Sequence, residues 1–144
     1  MSNTEATPTL PTHHWSMDYP MTPASARLAR LQTRRRLTAW QWGGDIDDAV
    51  LVVSELTANA ARHGRAAGRH LWLRLALVED GQLIVDVSDP IAAFPGFGQV
   101  GPVSDADECG RGLAVVREVA LELEWFLRPD KGKVVRARLA ALDG

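Results

Sequence analysis

Glu55 and Asn59 set a carboxylate and a carboxamide four residues apart in Ser54-Glu55-Leu56-Thr57-Ala58-Asn59-Ala60-Ala61-Arg62-His63-Gly64. Residues at that spacing on a helix lie one above the other, so the two side chains project from one face. Val53, Leu56 and Ala60 fall on a different face, the one a core would cover. The carboxylate can polarise a hydroxyl or a water. The amide oxygen can complete the shell of a magnesium ion, which takes one or two protein ligands plus phosphates and waters. Asp89, in Val85-Asp86-Val87-Ser88-Asp89-Pro90, ends a strand with a second carboxylate, and an acid there can accept a hydrogen bond from an exocyclic amine of a base. Asp86 is a rival for that contact. Gly110-Arg111-Gly112-Leu113 opens a helix, where backbone N–H groups and the helix dipole favour an anion. Each feature alone has an ordinary structural counterpart: a solvated helix face, a turn cap beside proline, a plain glycine turn.

The elements that must position these groups follow from periodicity. Residues 1–12 read as a flexible tail, and 13–144 as a single domain. Trp15 to Tyr19 suits a short edge strand, ended by Pro20 and Pro23. A helix runs from Ala24 to Trp40 on Leu28, Leu31, Leu37 and Trp40, and Gly43-Gly44 breaks it. Asp45 caps a second helix, with Asp48 in its first turn and Gly64 as its stop. The period then changes to two: Leu71, Leu73, Leu75 and Leu77 alternate with His70, Trp72, Arg74 and Ala76. Asp80-Gly81 makes a hairpin turn to a return strand on Leu83, Val85 and Val87. Regularity fails from Asp89 to Glu108, and a structureless stretch that long suggests a lid or binding loop, over about residues 90–109. A third helix from near Gly110 uses Leu113, Val116, Ala120 and Leu123. Strands Trp125 to Arg128 and Lys133 to Leu139 flank an Asp130-Lys131-Gly132 turn. The pattern predicts an α+β fold: a two-layer sandwich of a mostly antiparallel sheet with helices on one face.

Composition narrows the function. The chain has 144 residues, 46% of them hydrophobic, and a net charge of -2, which suits one domain with its own core and argues against nucleic acid or an anionic membrane as partner. The Arg34-Arg35-Arg36 run reads as a solvated helix face. A single cysteine, Cys109, forms no internal disulfide and fits a reducing cytoplasmic setting. No apolar run approaches a bilayer span. His63 and His70 have no partner at metal-ligand spacing.

In their order along the chain the motifs together resemble the GHKL (Bergerat-fold) ATPase superfamily. They are most similar to its branch of anti-sigma regulatory factors and serine-protein kinases. The resemblance covers about residues 14–140. It rests on Leu51 to Gly64, on Val87-Ser88-Asp89-Pro90, on Gly110-Arg111-Gly112-Leu113 and on Gly132-Lys133-Val134-Val135. It implies the Bergerat ATP-binding fold with ATP and Mg2+ as cofactors. Asn59 would hold the magnesium, and Glu55 would be the general base toward a serine or threonine hydroxyl. Arg62 would lie near the phosphates, Asp89 would hold the adenine amino group, and the backbone of Gly110, Arg111, Gly112 and Leu113 would cradle the phosphates. The resemblance further implies an anti-anti-sigma (STAS-domain) protein as phosphoryl acceptor, a sigma factor as sequestered target, and a homodimer as one available assembly. The alternative is an ATP-responsive module that sequesters a regulatory protein without catalysis. The sequence departs from the superfamily at Ile91, where a glycine usually follows the adenine-contacting Asp by two residues.

Overall fold

A computed structural model describes residues 11–63, 69–91, 101–102, 111–129 and 131–142. Among the described residues six strands form one sheet. They are β1 (Pro11–Pro20), β2 (His70–Val78), β3 (Leu83–Asp89), β4 (Gly101–Pro102), β5 (Glu122–Leu127) and β6 (Lys133–Leu139), in the spatial order β1-β2-β3-β6-β5-β4. Every pairing is antiparallel. Helices α1 (Pro23–Ala39), α2 (Ile46–His63) and α3 (Arg111–Val119) cover one face. In that layer α2 packs against both other helices and against β2, β3 and β6. The α+β two-layer sandwich is therefore the fold. Among the described residues no helix is long and apolar enough to cross a membrane.

Alternation places the core. Leu71, Leu73, Leu75 and Leu77 on β2 turn inward with Leu83, Val85 and Val87 on β3 and Val135, Ala137 and Leu139 on β6. From α2, Ala49, Val52, Val53, Leu56 and Ala60 meet them, spaced as one helical stripe. The opposite face carries Arg74, Asp86 and Arg136 as neighbours in register across three strands. Asp86 accepts there from Arg136 Nε at 2.7 Å, from Arg136 Nη2 at 2.9 Å and from Arg74 Nη1 at 3.4 Å. The hydrogen bond that Arg136 donates to Asp86 is the main reason that its guanidinium holds its proton still more firmly than usual.

Local chemistry fixes the element ends. Thr22 accepts from the Ser25 N–H, and Pro23 occupies the first turn of α1. Asp45 Oδ1 accepts from the Asp48 N–H at 3.0 Å and caps α2. Trp42 Nε1 donates to the Gly81 carbonyl at 2.8 Å, pinning the α1–α2 link to the β2–β3 turn. Gly81 takes the left-handed backbone that this hairpin requires, at φ 87°. The Arg34–Arg36 run is partly engaged: Arg34 pairs with Asp47 at 2.7 Å, and Arg36 lies over the Trp15 ring at 5.5 Å.

Several boundaries differ from the sequence reading. The first strand begins at Pro11, well before Trp15, because its pairing with β2 continues to Val78. β5 begins at Glu122 and ends at Leu127. The stretch expected to be irregular contains β4, which pairs with Trp125 and Glu124 at the sheet edge. Two residues are too few to leave an alternation signal. Gly64, Gly110 and most of the expected lid lie outside the described residues.

Two tests follow from buried polar groups. Thr33 in α1 is fully buried, and its hydroxyl is the one buried side-chain oxygen among the described residues without a hydrogen-bond partner. Thr33→Val removes that unpaired group at equal shape, so stability rises by about 1 kcal/mol in a denaturant titration; unchanged or lower stability would mean the hydroxyl is satisfied in solution. Tyr19, the single tyrosine of the chain, donates to Gln32 Oε1, and burial pushes its phenol from 10.0 up to about 12. The native state thus keeps a proton that the unfolded chain has released. Stability linked to Tyr19 is fully present below pH 10 and is lost as pH rises toward 12. Ultraviolet titration of native protein therefore shows no tyrosinate at pH values where the denatured chain has already ionised. Coincident curves would refute the burial effect.

Candidate functional site

Helix α2 carries the first half of the site. Its core stripe fixes the rotation of the helix, and that rotation sets where Glu55 and Asn59 point. Glu55 is half-buried, and Asn59 is 7% exposed. Neither side chain has a hydrogen-bond or ionic partner among the described residues. The residue is largely buried, but its amide is not among the fully enclosed unpartnered groups, so it reaches the surface, where a ligand can meet it. Around the pair the helix is well tied. Arg30 Nη1 of α1 donates to Ser54 Oγ at 3.2 Å, beside Glu55. Thr57, also buried, turns its hydroxyl back on the helix and donates to the Val53 carbonyl at 2.7 Å.

Arg62 is exposed in the last turn of α2. It lines a cavity of about 550 Å³ whose other walls include Met21, Pro23, Ala26, Ala58 and Leu71. Its side chain therefore borders a depression on the α1 side of the helix.

The second half of the site lies where β3 ends and β6 begins. Strand parity decides between the two acids. Asp89 is an even step from Val85 and Val87 and shares their inward face. Asp86 is an odd step from Asp89 and belongs to the arginine row on the outer face. Asp89 is 2% exposed and sits opposite Lys133 in register. The Lys133 ammonium donates to Asp89 Oδ1 at 3.1 Å, lies 3.0 Å from Oδ2, and donates to the Ile91 carbonyl at 3.0 Å. The Ile91 N–H donates in turn to Asp89 Oδ1 at 2.8 Å. Ile91, the departure from the superfamily pattern, thus joins this small network through its backbone.

Gly132 makes the approach possible. A Cβ there would lie 2.0 Å from the Asp89 carbonyl oxygen and 2.8 Å from Pro90 Cα, and the residue has φ 88°. Only glycine fits both constraints. Arg111, Gly112 and Leu113 form the first turn of α3, whose leading N–H groups have no acceptor within the helix. Leu113 buries its side chain in the core, at 2% exposure.

Lys133 carries no role in the sequence reading, yet it is among the largest fully buried side chains. A signal was available. Counting back by two from Leu139, Ala137 and Val135 leads to Lys133, so the alternation places a cation in an inward, apolar row. A charge so placed requires an opposite charge, and Asp89 is the inward acid at the neighbouring strand end.

The described groups have oxygen donors suited to a hard cation at Asn59, an acceptor suited to an amine at Asp89, and backbone donors suited to an anion at the start of α3. Known structures share the fold that carries these groups. The chain resembles the structure of the RsbU and RsbW domains of Rv1364c from Mycobacterium tuberculosis, with a TM-score of 0.63 and 24% identity over 90% of this chain. It spans 33% of that longer chain. It also resembles the SiaB–SiaC complex from Pseudomonas aeruginosa, with a TM-score of 0.66 and 17% identity over 87% of this chain and 88% of that one. At such identities the likeness establishes the fold. No curated protein matches the sequence significantly. The family described as the histidine kinase-like ATPase domain matches residues 19–139, nearly the whole sandwich, and the chain belongs to it.

Proposed function

We propose that this chain is an ATP-dependent serine/threonine protein kinase that acts as an anti-sigma-type regulator, with an anti-anti-sigma (STAS-domain) protein as phosphoryl acceptor. The observation that carries the reading is the pair Glu55 and Asn59, one helical turn apart and without protein partners among the described residues. Family membership supports ATP as the nucleotide. The two similar structures support a protein partner, since one is of a complex of SiaB with SiaC and the other joins an RsbW domain to an RsbU domain.

In this reading Asp89 accepts from the exocyclic amine of adenine, and the N-terminal N–H groups of α3, with the loop from Gly110, face the phosphates. Arg62 adds positive charge at the open end of α2. Asn59 supplies an oxygen ligand to Mg2+, which when bound neutralises charge on the phosphates. Glu55 takes the proton of a serine or threonine hydroxyl. That oxygen forms its bond to the γ-phosphorus as the bond to the β–γ bridging oxygen breaks, and ADP leaves with the electron pair. Little covalent chemistry falls to the protein in such transfers, so a base, a metal ligand and backbone donors suffice.

The test separates binding from chemistry. Glu55→Ala retains ATP binding within about threefold and lowers phosphoryl transfer to a STAS-domain acceptor by about 10²–10⁴-fold, the usual share of general base catalysis. Asn59→Ala loses the magnesium dependence of ATP binding. Calorimetry with and without magnesium, paired with a radiolabel transfer assay, reads both. Undiminished transfer in Glu55→Ala would exclude the base. Wild-type protein that binds ATP and transfers nothing would favour the sequestering module.

A further inference from the structure

At one margin of the sheet, β1 has β2 as its one strand neighbour among the described residues. In an antiparallel pair every other residue turns its backbone N–H and C=O away from the neighbour, so β1 offers a row of such groups along its open side. Natural edge strands are usually blunted by shortness, lysine, proline or a bulge. Here the bulge and the prolines stand at the ends. The register shifts between Pro11 and His13, then runs without interruption from His13 opposite Leu77 to Pro20 opposite His70. From His13 to Tyr19 there is no lysine and no proline. A stripe of α1 runs beside this edge. Gln32, Arg35, Arg36 and Ala39 follow at helical spacing and share one side of the helix. With Trp15 and Met17, side chains of β1 that pack against the core, they line a cavity of about 290 Å³. That lining has two guanidinium groups and no carboxylate. Arg36 lies over the Trp15 ring, whereas the exposed Arg35 has no ion-pair or hydrogen-bond partner among the described residues.

We propose that the open edge of β1 and the trough beside α1 are a docking surface for an extended, acidic segment of a partner protein, which adds to the sheet as a further strand. Strand addition takes affinity from main-chain hydrogen bonds and specificity from pockets for alternate side chains. Alternate side chains of the incoming segment point toward the helix layer, into the space between β1 and the α1 stripe. Apolar ones lie against Trp15 and Met17, and acidic ones meet Arg35 and Arg36. A second copy of this chain fits less well. Two-fold pairing of β1 with β1 would bring the two α1 stripes side by side and set Arg35 and Arg36 toward the same cations of the other copy. An acidic segment turns that repulsion into attraction. The chain as a whole has a net charge of -2, so the basic trough is a local feature of its surface. Asp89 stands two strands away on β3, and docking at β1 is independent of the nucleotide reading.

The probe is a peptide of sequence Thr-Val-Thr-Glu-Thr-Glu-Thr-Val-Thr, labelled at one end and titrated with the full chain by fluorescence polarisation. One row of its alternating side chains carries valine and glutamate, and its palindromic order serves either strand direction. The wild-type chain binds it, and binds the version with lysine in place of both glutamates at least about tenfold more weakly. Two further peptides, N-methylated either at the threonines or at the residues between them, each block one row of N–H groups. At least one of the two loses about tenfold or more in affinity. Arg35→Glu, an exposed change on α1, weakens the acidic peptide by about three- to tenfold and narrows its advantage over the lysine version. Equal binding of the acidic and lysine peptides, binding that neither N-methylation lowers, or an Arg35→Glu chain that binds as the wild type does would each overturn the proposal. So would a wild-type chain that binds none of the peptides. Sedimentation of the wild-type chain as a dimer that excludes the peptide would assign the edge to a second copy and overturn it as well.

Discussion

The last inward position of β3 and the first inward position of β6 hold opposite charges, and the two strands come together there over a glycine that tolerates no side chain. Much of the sheet depends on this meeting. Asp89 and Lys133 stand opposite each other at one end of the β3–β6 register, and Leu83 and Leu139 close the other. A slip by one residue would turn Val85, Val87, Val135 and Ala137 out to solvent and bring Asp86 and Arg136 into the core. An ion pair 2% exposed on both sides penalises that error heavily, since either charge displaced alone would be buried without its partner. Register, the inward row and the location of the inner carboxylate are thus one constraint.

The parity of β3 also divides the chemistry between two faces. Asp86 and Asp89 are three residues apart and cannot point the same way. One lies on the outer face, covered by Arg74 and Arg136, partly exposed guanidinium groups that compensate its charge there. The other faces the helices, where its compensation must come from within. The outer one is held by two guanidinium groups, and the inner one by a single ammonium and the Ile91 N–H.

Much of this was legible in the residues themselves. The inward stripe of α2, the alternation of β2 and β3, and the capping by Asp45 follow from periodicity and local hydrogen bonding, which act over a few residues and leave a local signature. The placement of Glu55 and Asn59 on a common face was of the same kind. What could not be read locally depends on contacts between distant segments. The pairing of Pro11 to His14 with β2 lacks an apolar alternation, since those residues are exposed at an edge. β4 is two residues long, and its place follows from its pairing with β5. Lys133 gave a signal, an inward cation, but its partner lies 44 residues away, and only the sheet order makes them adjacent.

The two halves of the site rest on different supports, and this has a mechanical consequence. Glu55 and Asn59 ride on α2, whose orientation is set by packing against two helices and three strands. Asp89 rides on a strand end whose orientation is set by one ammonium and one glycine. The first support is broad: removing any one contact leaves many others, so the angle between Glu55 and Asn59 is resistant to single changes. The second is narrow and electrostatic, and a single substitution can redirect it. The two supports can therefore vary independently, since a change at the narrow one leaves the packing of α2 in place.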